Sequence, residues 1–154
     1  MASSGISVDV EDVSGAAGVP TAAQFQRWAE AAFAGRRDAV ELSIRVVDAP
    51  EGAELNARYR GKDHATNVLS FPAELPRGVP LPAVGDLVIC APVVAREARE
   101  QGKPEQAHWA HLTVHGCLHL IGYDHEDDSQ AALMEPLETA ILAGLGVPDP
   151  YQGA

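Results

Sequence analysis

Apolar positions change period several times along the chain, and each change marks an element. Ile6, Val8 and Val10 alternate with polar residues, as do Val40, Leu42, Ile44 and Val46. A period of two marks a strand with one buried face, so both segments are predicted as strands. Between them Phe25, Trp28, Ala32 and Phe33 fall on one face of a helix that opens at Pro20-Thr21 and ends at Gly35. A turn at Asp48-Ala-Pro-Glu leads into a short helix, Glu51 to Tyr59. Asn67 to Phe71 reads as a third strand stopped by Pro72, and the proline-rich stretch 72–84 as an irregular loop or extended edge. Gly85-Asp86 opens a fourth strand, Leu87 to Cys90, and Ala91-Pro92 starts a helix that runs to about Gln101. Glu105 to Leu120 contains no breaker but Gly116 and is predicted as the central helix, ended by Gly122. A last helix runs from Asp128 to Gly144–Gly146.

Strands and helices alternate early and helices dominate late. This predicts an α+β fold: one layer sandwich, a sheet of about four strands covered by helices, with an HxxxH helix at its centre. The 154 residues fit one domain over 1–154, with residues 1–5 expected to be flexible. No internal repeat or long linker divides the chain. No uncharged run approaches the roughly 20 apolar residues of a membrane span, and Met1 to Gly5 lacks the basic start of a signal peptide. Cys90 and Cys117 form no CxxC pair, so both are expected as buried thiols in a reducing compartment. The expected location is the cytoplasm.

The chemistry concentrates in His115-Gly-Cys-Leu-His119-Leu-Ile-Gly122-Tyr-Asp-His125. His115 and His119 are four apart, so a helix projects both imidazoles from one face. That is the spacing with which one helix offers two nitrogens to one tetrahedral ion. Gly122 lets the chain reverse and His125 return as third ligand. Three nitrogens with an open fourth position describe a catalytic rather than a structural metal site. Three imidazoles suit nickel, copper or iron as well as zinc. Cys117, two residues from His115, points to the opposite side of the helix and is expected in the core. His111, four before His115, either lines the cleft, hydrogen-bonds behind a ligand, or is simply structural; His108 is the weaker case. Asp124, Glu126, Asp127 and Asp128 crowd the site, the last two as helix caps.

The spacing HxxxHxxGxxH is also that of metzincin proteases. Those enzymes place a glutamate directly after the first histidine as general base. Here that position is Gly116. Losing a general base typically costs about 10²–10⁴-fold in rate, so peptide hydrolysis ranks last.

The stretch His108-Trp-Ala-His111-Leu-Thr-Val-His115-Gly-Cys-Leu-His119-Leu-Ile-Gly-Tyr-Asp-His125 closely resembles the signature of the bacterial YbeY family. Further blocks resemble it in the same order: Leu55-Asn56, Tyr59-Arg60-Gly61-Lys62-Asp63, Thr66 to Pro72, Gly85 to Ile89, and Asp149-Pro150-Tyr151. The resemblance covers roughly residues 40–151 and implies a compact α+β fold with one zinc ion on His115, His119 and His125. It implies a zinc-dependent single-strand endoribonuclease acting in 16S rRNA 3′-end maturation and ribosome quality control. RNA of the 16S precursor and the small ribosomal subunit are the implied partners, with ribosomal proteins or an assembly GTPase beside them. The family's arginine falls on Arg60, and a guanidinium can grip a phosphate with two hydrogen bonds. Arg58 and Lys62 are expected as solvated surface charges. The general base stays open between Asp124 and a substrate 2′-hydroxyl. A non-catalytic assembly factor with structural zinc is the alternative. One residue departs from the family pattern: Pro136 stands where a good helix former is usual, and it removes a hydrogen bond and kinks the last helix unless a helical segment starts near it.

Charge refines this picture. Eleven basic and 22 acidic residues leave a formal charge of −11, which argues against non-specific coating of nucleic acid or anionic membrane. The charge is uneven, however. Residues 27–103 hold all 11 basic residues and 11 acids, whereas residues 104–154 hold eight acids, no Lys or Arg, and five of the six histidines. A selective or weak RNA contact through the neutral middle fits better than salt-driven binding to any RNA.

Overall fold

Alternation along the strands builds a sheet with one apolar face. A computed structural model describes residues 5–37, 39–60, 67–72, 83–121 and 128–148. For Tyr59, Arg60, Pro72, Ala83, Val84 and residues 128–132 it describes the backbone alone. The strands are β1 (Ile6–Asp12), β2 (Val40–Val47), β3 (Val68–Pro72) and β4 (Ala83–Cys90); the helices are α1 (Ala22–Phe33), α2 (Ala49–Arg60), α3 (Ala91–Gln101), α4 (Glu105–Leu120) and α5 (Asp128–Gly144). The sheet order is β1-β2-β4-β3, with β1, β2 and β4 parallel and β3 antiparallel to β4. This is the predicted α+β sandwich with four strands. Gly85, at φ 143°, sits where the β2–β4 register slips beside Leu42, a conformation that side chains rarely adopt.

Every other residue of β2 faces the larger core: Val40, Leu42, Ile44 and Val46 are buried, while Glu41 and Ser43 are exposed. Leu87 and Ile89 of β4 extend this face, and Phe25, Trp109, Val114 and Leu118 of α1 and α4 cover it. Residues of the opposite parity, Val47, Val88 and Cys90, form a smaller cluster with Leu69 and Val93. Helix α1 starts as its sequence asks. The Thr21 hydroxyl accepts from the Gln24 amide at 3.2 Å, while the Gln24 side chain accepts from the Thr21 amide at 2.8 Å.

Helix α4 packs against α1, α3, α5, β3 and β4. Its approach to the sheet depends on Gly116: a Cβ there would lie 2.7 Å from Leu87 Cδ2, inside any real contact distance. The position that looked like a weak point in the helix is where it meets β4.

The predicted last helix is present as α5, with Pro136 in its interior. Pro136 is exposed, while Met134, Glu138 and Leu142, spaced by four, are fully buried. The ring therefore sits on the outer face, and the loss is one backbone donor. Proline costs about 3 kcal/mol relative to alanine inside a helix, but it also restricts the unfolded chain by up to about 1 kcal/mol. Pro136→Ala is accordingly expected to stabilise the protein by about 1–2 kcal/mol, read from the urea midpoint; a lower midpoint would mean that the ring supports packing.

Candidate metal centre

Four histidines share one stripe of α4. His108, His111, His115 and His119 follow one another at intervals of three or four, so their side chains stack turn upon turn. The rings of His108 and His111 have centroids 6.2 Å apart, and those of His111 and His115 are also 6.2 Å apart. His108 is buried, while the other three are partly exposed. Around the stripe the helix buries Trp109, Leu112, Val114, Cys117, Leu118 and Leu120.

A carboxylate from another helix meets this stripe. Glu138 of α5 is fully buried; its Oε1 lies 2.9 Å from His111 Nε2 and its Oε2 lies 2.9 Å from His115 Nδ1. A buried carboxylate costs several kcal/mol unless its oxygens receive hydrogen bonds, and here two imidazoles supply them. Ligand atoms of His111, His115 and Glu138 lie within 4.8 Å of one another, so this group could hold a metal ion. The chemistry of that set also permits the other arrangement. A carboxylate at Nδ1 of His115 turns Nε2, on the far side of the ring, toward a metal, a common support for metal-binding histidines.

Of the predicted ligands, His115 and His119 stand on one side of α4 one turn apart. His125 and Asp124 lie outside the described residues. Arg60 is the last residue of α2, and its side chain also lies outside them. Arg58 is an exposed charge 3.5 Å from Glu54, as expected. Cys117 is fully buried, which pushes its thiol pKa far up and leaves it a core residue. Burial does the same to Cys90, more mildly.

His108 belongs to a second polar group. Its Nε2 lies 2.9 Å from Glu97 Oε1 on α3, which also accepts from the Asn67 side chain at 3.1 Å. Burial lowers the His108 pKa, and the Glu97 carboxylate opposes that shift. The group ties α3 and α4 to the start of β3.

Comparison with known proteins comes down on one side. A sequence profile of the family described as Endoribonuclease YbeY matches residues 13–146. The chain belongs to the YbeY family. Its relatives include the Endoribonuclease YbeY of Stenotrophomonas maltophilia (strain K279a), 64% identical over 141 residues that make up 89% of this chain and 88% of the relative. That of Xanthomonas axonopodis pv. citri (strain 306) is 63% identical over the same shares. Among solved structures, the solution structure of TM1509 from Thermotoga maritima is similar in fold, with a TM-score of 0.58 and 23% identity over 93% of this chain and 99% of that one.

YbeY membership agrees with the fold predicted from the motif blocks. Sequence reasoning missed Glu138 as a partner of the histidines. A signal was present, since a charged residue interrupts the apolar series Met134, Leu142 at helical spacing. The structure also explains the missing protease glutamate. Position 116 faces Leu87 in the core, so a side chain there would enter the sheet and not the histidine cleft. Gly116→Glu adds overpacking and a buried carboxylate, and is expected to lower stability by about 3 kcal/mol or more without creating peptidase activity. A stably folded variant that hydrolyses casein would reinstate the protease reading.

Proposed function

We propose that this protein is a single-strand endoribonuclease that holds one zinc ion on His115, His119 and His125 and acts in the maturation of the 16S rRNA 3′ end and in ribosome quality control. The observation that carries the reading is the set of His115 and His119 on one side of α4, with His115 held at Nδ1 by a buried carboxylate, in a chain whose YbeY relatives are named endoribonucleases. The donor set fits zinc: imidazole nitrogens, with a carboxylate behind one of them. Bound there, zinc would supply positive charge for a phosphodiester oxygen and acidity for a water molecule.

The chain's own residues divide the rest of the task. Arg60, at the end of α2, grips a phosphate through its guanidinium and offsets charge that grows in the transition state. Asp124, one residue before His125, is the proton acceptor of this proposal. The face of the sheet opposite α4 is partly polar. A cavity of about 700 Å³ there is lined by Asp9, Glu11, Ser43, Arg45 and Asp86 among others. Its arginine is occupied, since Arg45 pairs with Glu11 and, at 2.8 Å, with Glu51. The partners of this reading are the 16S precursor and the small ribosomal subunit, with ribosomal proteins or an assembly GTPase, in the cytoplasm. No helix among the described residues is long and apolar enough to cross a membrane.

The test is elemental analysis of tag-free protein together with cleavage of single-stranded RNA by wild type, His115→Ala and Arg60→Ala. About one zinc per chain is expected in the wild type, with metal and cleavage both lost in His115→Ala. Arg60→Ala should keep the metal and lose about 10²–10³-fold in kcat/KM. Equal cleavage by all three proteins would point to a contaminating nuclease and sink the proposal; RNA binding without cleavage would make the protein an assembly factor.

A further inference from the structure

Glu138 lies in none of the sequence blocks that point to the metal, and no step of the proposed reaction uses it. Yet it is a fully buried carboxylate placed against two histidines of the metal-bearing helix, 2.9 Å from each. Three features of this contact carry an inference. The two oxygens are divided, one to each ring, so neither imidazole can rotate without uncovering a buried charge. The contacts use different nitrogens, Nε2 of His111 and Nδ1 of His115. An ionised carboxylate only accepts, so both nitrogens must carry the proton, and this fixes the tautomer of each neutral ring.

We propose that Glu138 is a positioning residue for the metal: its carboxylate holds the Nδ1–H tautomer of His115, so that this ring offers Nε2 to the ion, while His111 braces the carboxylate from the other side. The inference rests on the zinc reading above and names the residue on which its geometry depends. His115 has one nitrogen for the carboxylate and one for the ion, so Glu138 stands behind the ligand. His111 belongs with Glu138, since its Nε2 is committed to the same carboxylate. The contact ties α5 to α4, and the position of α5 thereby sets the orientation of a ligand on its neighbour.

This arrangement makes statements that a rival set of ligands, His111, His115 and Glu138, does not. The ring nitrogens of ¹⁵N-histidine-labelled full-length protein, observed before and after addition of Zn²⁺, report which nitrogen is protonated and which binds metal. For His115 a protonated Nδ1 is expected in both states, with Nε2 shifted by the metal. A protonated Nε2, or metal at Nδ1, would overturn the proposal without any variant having to fold. Zn²⁺ affinity is then measured by competition with a chromophoric chelator for wild type, Glu138→Gln and His119→Ala, alongside the thermal midpoint of each. An amide must donate to one of the two rings where the carboxylate accepted from both. Glu138→Gln is therefore expected to bind zinc about 10–100-fold more weakly, and His119→Ala to lose far more. Unchanged affinity in Glu138→Gln beside a zinc-binding wild type would overturn the positioning role and leave the zinc reading intact. Retained binding in His119→Ala with complete loss in Glu138→Gln would make Glu138 a ligand and overturn it too. A wild-type protein that binds no zinc would remove the zinc reading itself.

Discussion

Helix α4 lies so close to the sheet that position 116 has no room for a side chain, and the rest of the structure follows from that approach. With Gly116 against Leu87, the helix buries Trp109, Val114, Cys117 and Leu118 in the main core. Each large apolar side chain among them contributes about 1.5–3 kcal/mol, so the axis of α4 is set by apolar packing and not by its polar residues. Along the histidine stripe, His111, His115 and His119 stay partly exposed. The histidines lie on it because an imidazole that must reach a ligand cannot also face Leu87.

Closing that stripe is a matter of electrostatics. Helix α5 presents Met134 and Leu142 to the core, and between them Glu138, whose carboxylate no apolar neighbour can satisfy. His111 and His115 supply the missing donors, and the several kcal/mol of desolvation are offset by two hydrogen bonds from imidazoles. Further along, Glu97 of α3 meets His108 and accepts from Asn67 at the start of β3. The stripe thus joins four elements, α3, α4, α5 and β3, through polar contacts laid over an apolar foundation. Such networks fix side-chain orientation more than they add stability, and orientation is what a metal ligand needs.

Much of this was legible in the chain. Strict alternation in β2 named its buried face residue by residue, because an extended backbone leaves a side chain no choice of side. Thr21 and Gln24 marked the start of α1 because a capping box is local chemistry. The pairing of His115 with His119 was readable for the same reason, since one helical turn separates them. Pro136 left the geometry of the last helix open, because its penalty is local whereas its compensation is not. The cost of about 3 kcal/mol falls on one exposed turn, and burial of Met134 and Leu142 on the other side of the helix outweighs it. Glu138 was overlooked because its partners lie 27 and 23 residues away, beyond any periodicity.

The amino-acid sequence by itself determined the elements, the α+β class and the candidate ligands through spacing within segments, and the family through the resemblance of its motif blocks. Tertiary structure alone decided that Gly116 is a point of helix–sheet contact, that Pro136 lies on the exposed face of α5, and that a buried carboxylate from α5 holds two histidines of α4. The physical reason is common to all three. Whether a residue is a flaw or a requirement depends on which neighbour fills the space beside it, and that neighbour comes from a distant part of the chain.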